Sequence, residues 1–96
     1  MAELLSTEEV AERLGDLPGW GLDDSKLHRS FRFADFRRAF AFMTGAALAA
    51  EKLNHHPEWF NVWSKVDVHL NTHEAGGITE LDFQLAQAMN ELADAL

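Results

Sequence analysis

The spacing of apolar residues switches between helical and extended periods along the chain, and each switch marks an element. Ser6-Thr7-Glu8-Glu9 forms a capping box: the Ser6 hydroxyl is placed to accept from the Glu9 amide, and Leu5 and Val10 stand at staple spacing around it. Val10, Ala11 and Leu14 share a face, and Gly15 and then Pro18-Gly19 stop the pattern, which predicts a short helix over roughly 7–14. From Trp20 to Phe33 the period becomes two. Leu27, Arg29, Phe31 and Phe33 fall on one side and His28, Ser30 and Arg32 on the other, with Asp23-Asp24-Ser25 as the polar turn of a hairpin whose strands lie near 20–22 and 26–33. Asp35 then caps a long helix in which Phe36, Phe40, Met43, Ala47 and Ala50 recur at steps of four and three, a stripe predicted to be buried and widened by Ala39, Phe42, Ala46 and Leu53. That helix ends near Asn54, because Pro57 drives His56 out of the helical region. A short apolar run from Trp59 to Trp63 precedes Val66, Val68 and Leu70, which alternate with Lys65, Asp67 and His69. Both read as strands. After Ala75-Gly76-Gly77, a second capping box, Thr79-Glu80-Leu81-Asp82 with Ile78 and Phe83 as staple, opens a last helix carrying Leu85, Met89, Leu92 and Leu96. The order helix-strand-strand-helix-strand-strand-helix predicts an α+β fold, a four-stranded antiparallel sheet with three helices on one face. No repeat or linker interrupts it, so one domain over 1–96 is expected.

Charge and cysteine usage narrow the functions available to such a domain. Eight basic and sixteen acidic residues leave a formal charge of −8, which repels phosphate backbones and anionic lipid headgroups, so neither a nucleic-acid nor a membrane partner is expected. With no cysteine there is no disulfide framework, thiolate metal site or cysteine nucleophile, and a reducing cytoplasm is the expected location. Met1-Ala2-Glu3-Leu4-Leu5 is acidic where a signal peptide is basic, and the small-apolar run Gly45–Ala50 is far too short to span a bilayer. A chain of 96 residues has a modest core, and its second helix is more apolar than one small sheet can cover, which predicts a homodimer or homotetramer with that helix at an interface.

Candidate chemistry concentrates between Glu51 and Asp82. His55, His56 and His73 sit at the ends of elements, where imidazoles can converge and offer a donor and an acceptor near neutral pH. Glu51 lies one helical turn before His55 and is placed to orient it. A histidine at a helix end also suits the helix dipole, and the capping box by itself explains a carboxylate at Asp82. His28 and His69, on the wet faces of strands, are expected to be inert. Trp20, Trp59 and Trp63 can be core residues or can stack on a flat heterocycle, core being the commoner use. His55, His56, His73 and Asp82 could in principle hold a metal. Adjacent histidines diverge, however, and neither an HExxH spacing nor a cysteine is present, so no metal is expected. The absence of a nucleophile elbow, GxGxxG or phosphate loop removes covalent catalysis and nucleotide binding from consideration.

The run Glu51-Lys52-Leu53-Asn54-His55-His56-Pro57-Glu58-Trp59-Phe60-Asn61-Val62-Trp63, followed by Asn71-Thr72-His73-Glu74 and then Asp82, closely resembles the pterin-4a-carbinolamine dehydratase family, as does the entry Pro18-Gly19-Trp20. Animal members of that family double as the dimerisation cofactor of a homeodomain transcription factor. The resemblance implies a dehydratase acting on 4a-hydroxytetrahydropterin, the product of aromatic amino acid hydroxylases, and forming quinonoid dihydropterin and water with no cofactor and no metal. It also implies site roles. His55, His56 and His73 form the catalytic set, with His55 and His73 as the acid and base pair and His56 mainly holding the pterin; Glu51, Asp82 and Trp20 bind or orient. The chain departs from the animal pattern at Leu81, where those relatives carry a basic residue. An adaptor that binds proteins and has no catalytic activity, or has both, is the alternative the resemblance leaves. Retention of all three histidines and both carboxylates favours the enzyme.

Overall fold

A computed structural model describes residues 2–96 as α1 (Thr7–Leu14), β1 (Gly21–Asp23), β2 (Lys26–Arg32), α2 (Phe36–Leu53), β3 (Glu58–Val62), β4 (Lys65–Leu70), a 3₁₀ turn (His73–Ala75) and α3 (Glu80–Asp94). The strands form one antiparallel sheet in the order β1-β2-β4-β3. The α+β order expected from the sequence is the observed one. The 3₁₀ turn was not foreseen, since three residues carry no periodicity.

Alternation along the two central strands builds the core. Leu27, Phe31, Val66, Val68 and Leu70 point to the helix-covered face and are at most 2% exposed, and each such side chain contributes roughly 1.5–3 kcal/mol by leaving water. They join Val10 of α1, Phe42 of α2 and Phe83, Leu85 and Met89 of α3 in one cluster. Lys26, His28, Asp67 and His69 point to the opposite face and remain half-buried.

Both predicted capping boxes are present. Ser6 Oγ accepts from the Glu9 amide at 3.1 Å while Glu9 Oε1 accepts from the Ser6 amide at 2.9 Å. At α3, Thr79 Oγ1 accepts from the Leu81 amide at 3.2 Å and Asp82 Oδ2 from the Thr79 amide at 2.8 Å. Leu96 lies beyond the end of α3 and is exposed.

Only one side of the broad stripe predicted for α2 faces the core. Ala39, Phe42, Ala46 and Ala50 face the core, whereas Phe36 and Phe40 are 48% and 55% exposed and Ala47 is also exposed. The two sides of the stripe have the same period, so the pattern alone could not say which lies deeper. Small side chains decide it: alanines let the helix lie close to the sheet, and Gly45 admits Leu92 of α3, whose Cδ2 stands 3.0 Å from where a Cβ would be.

Candidate active site

α2 stops where Asn54 takes the left-handed conformation (φ 51°, ψ 44°), and the His55 amide returns to the Ala50 carbonyl at 3.0 Å. This turn sends successive side chains in different directions. His55 goes inward and is 8% exposed; His56 goes outward.

The inward imidazole meets Asp82, which is fully buried in the first turn of α3. His55 Nε2 donates to Asp82 Oδ1 at 2.5 Å. The other carboxylate oxygen accepts from the Thr79 amide at 2.8 Å and from Thr72 Oγ1 at 2.9 Å, and Thr72 Oγ1 in turn lies 2.8 Å from Thr79 Oγ1. An ionised carboxylate only accepts, so Asp82 fixes the proton of neutral His55 on Nε2 and leaves Nδ1 as the free lone pair. Among the described residues no buried side-chain nitrogen or oxygen lacks a partner; Nδ1, which has none, therefore opens to solvent. A depression of about 530 Å³, lined by Leu53, Asn54, Thr72 and Leu81 among others, flanks the pair.

The remaining candidates are placed differently. Glu51 bonds His56, Oε1 to Nε2 at 2.6 Å, not His55 as the one-turn spacing predicted. Left-handed Asn54 interrupts the helix before His55, so the helical geometry never reaches it. His73, at the start of the 3₁₀ turn, has 80% of its side chain exposed, with Nε2 3.3 Å from Glu58 Oε2. Glu58 is held by Lys26 Nζ at 2.8 Å and Asn71 Nδ2 at 3.0 Å. The Lys26 hydrogen bond keeps the Glu58 carboxyl below the usual carboxylate range. His73 lines a separate shallow depression with Lys26, Asn71 and Gly76. Among the described residues no hydrogen bond joins any two of His55, His56 and His73; each imidazole instead has a carboxylate beside it, Asp82, Glu51 and Glu58 respectively.

Trp20, a candidate for binding or orienting the substrate, lies in the core. It is 7% exposed, packs edge-on against Phe31 with ring centroids 5.9 Å apart, and donates Nε1–H to Asn90 Oδ1 at 2.7 Å. Asn90 stands about 12 Å along α3 from Asp82, at 1.5 Å rise per residue. His28 and His69, expected to be inert, each hold a carboxylate: His28 Nε2 lies 2.9 Å from Asp67 Oδ1 and His69 Nε2 lies 2.8 Å from Asp23 Oδ2. Sequence reasoning also passed over Thr72 as a functional residue, although it stands within the motif beside His73.

The family model described as pterin 4 alpha carbinolamine dehydratase matches residues 3–92. A protein of Rhizobium johnstonii, named provisionally as a pterin-4-alpha-carbinolamine dehydratase, is 61% identical over 93 residues, covering 95% of this chain and 92% of the relative. A Solibacter usitatus protein of the same provisional name is 52% identical, covering 97% and 98%. A crystal structure of a transcriptional coactivator/pterin dehydratase from Brucella melitensis superposes with a TM-score of 0.91 at 52% identity, over 93% of this chain and 97% of that one. With the family model and near-full-length relatives in agreement, the chain belongs to the pterin-4-alpha-carbinolamine dehydratase family.

Proposed function

We propose that this chain, acting as one domain over 1–96, is a dehydratase that converts 4a-hydroxytetrahydropterin to quinonoid dihydropterin and water, and so recycles the pterin spent by an aromatic amino acid hydroxylase. The observation that carries the reading is the His55–Asp82 pair, a shielded imidazole with one nitrogen fixed and the other open. In the elimination, the 4a-hydroxyl takes a proton, the C4a–O bond breaks and water leaves. The adjacent ring nitrogen gives its proton to a base, and the electron pair of that N–H bond forms the C=N bond. Neutral His55 accepts at Nδ1; protonated His55 donates there, and Asp82 stabilises the imidazolium. His73 serves the opposite proton transfer, His56 with Glu51 holds the pterin, and Leu81 contributes an apolar wall. Proton transfer of this kind calls for neither metal nor organic cofactor.

The homodimer or homotetramer belongs to the same reading. Phe36, Phe40 and Leu48 on α2 are 48%, 55% and 69% exposed, an apolar face suited to a second copy. Among the described residues no helix is long and apolar enough to cross a membrane, in keeping with a cytoplasmic enzyme. A second reading, a protein-binding adaptor, is favoured by the coactivator designation of the Brucella relative. The deciding assay lets a phenylalanine hydroxylase generate the carbinolamine and follows its dehydration by absorbance with and without this protein. Acceleration in proportion to protein concentration supports the enzyme, and the unassisted rate throughout favours the adaptor.

A further inference from the structure

The face of the sheet turned away from the helices holds a second cluster of ionisable groups, which shares no residue with the His55–Asp82 pair. His28 on β2 and His69 on β4 stand directly opposite one another in register, with ring centroids 4.5 Å apart. Asp67, two positions before His69, shares their face, because alternate residues of a strand point the same way. One ligand atom from each of His28, Asp67 and His69 can be chosen so that all lie within 4.8 Å of one another. We propose that His28, Asp67 and His69, backed by Asp23, form a site for one borderline-soft divalent cation, Zn²⁺ above all.

Four features support it. Two imidazoles and a carboxylate are a donor set that favours zinc over magnesium or calcium. The ligands are carried by the two central strands, whose pairing fixes their backbone positions. A tetrahedral zinc at about 2.1 Å from each donor needs donors about 3.4 Å apart. The side chains, 24% to 30% exposed, retain the rotamer freedom to close that difference. Finally, His69 Nδ1 lies 3.8 Å from Asp67 Oδ2 while its Nε2 is bonded to Asp23 Oδ2 at 2.8 Å. One ring nitrogen thus turns toward the shared space and the other is oriented by a carboxylate, the arrangement that holds metal-binding histidines elsewhere. Lys26, on the same face, is engaged by Glu58.

The site stands independently of the dehydratase reading and is tested on the full chain after chelator treatment, by calorimetric titration with zinc alone. One zinc per chain is expected, with no corresponding uptake of magnesium. His28→Gln, His69→Gln and Asp67→Asn should each abolish that binding, and Asp23→Asn should weaken it about 10- to 100-fold. His56→Ala and His73→Ala should leave it intact. His28→Gln should keep the circular dichroism spectrum of the wild type, which shows that it folds. A measurement on the unsubstituted protein needs no variant: zinc should shift the imidazole NMR resonances of His28 and His69 and leave those of His56 and His73 in place. The proposal is overturned by absence of stoichiometric uptake, by zinc-induced shifts confined to His56 and His73, or by binding that survives both His28→Gln and His69→Gln.

Discussion

The chemistry available to His55 depends on which ring nitrogen is tied down. Asp82 ties Nε2, so the reactive position is Nδ1, and removing either partner acts through that one atom. His55→Ala should lower kcat about 10²- to 10⁴-fold, the usual cost of losing a positioned acid or base. His73→Ala should also lower kcat, and the double variant should fall much further if each histidine partly covers for the other. His56→Ala should chiefly raise KM, because a contact made equally in ground and transition states does not change kcat. Steady-state assays corrected for unassisted dehydration separate these outcomes; full kcat in both folded single variants, His55→Ala and His73→Ala, would reject the assignment. Asp82 shows how partial a reading from sequence is at this scale. Its capping role was visible because Thr79 stands three residues away, whereas its imidazole partner comes from the far end of another helix and leaves no local trace.

At the scale of elements, turns and periods carried most of the fold. Both capping boxes, the strand alternation and the element order were legible, since each rests on residues within a few positions of one another. What was not legible depended on contacts between elements. The stripe of α2 that faces the core was set by how closely alanines allow approach, and the partner of Glu51 by a left-handed residue at Asn54. The turn before β1 gives a stability prediction. Gly19 has φ +87°, and a Cβ there would lie 2.7 Å from Arg29 Nε. Arg29 spans that turn by donating to Asn90 Oδ1 at 2.6 Å and to the Pro18 carbonyl at 3.3 Å. Gly19→Ala should therefore cost about 1–2 kcal/mol from the left-handed backbone alone, and more if Arg29 is displaced. Urea unfolding measures it, and a midpoint equal to that of the wild type would contradict it.

Across the whole molecule, charge governs acid stability and apolar surface governs assembly. The carboxyls of Glu9, Asp35, Glu58, Asp67 and Glu80 all have lowered proton affinity in the folded protein. For Glu9 and Asp35 the leading cause is an amide at a helix start, and for Glu58 and Glu80 it is Lys26 and Arg13; at Asp67 the pairing with His28 overcomes burial. Groups depressed on folding contribute stability that is complete above their unfolded values, 4.5 for the glutamates and 3.8 for the aspartates, and is lost as pH falls through the folded values. The urea midpoint should thus drop below about pH 4.5, and Glu80→Gln should remove part of the drop. For assembly, sedimentation equilibrium should give a dimer or tetramer at micromolar concentration, and Phe40→Asp, at an exposed position, should shift it toward monomer while circular dichroism stays unchanged. A monomeric wild type would reject the interface. The sharing of Asp82 between the amide that starts α3 and the imidazole of His55 also has a kinetic consequence. Any fluctuation that frays the start of that helix loosens the carboxylate from both at once. Hydrogen exchange at the Thr79 amide therefore becomes a clock for how often His55 is released, and the fraction of time that amide stays protected sets an upper limit on the fraction of molecules ready to turn over.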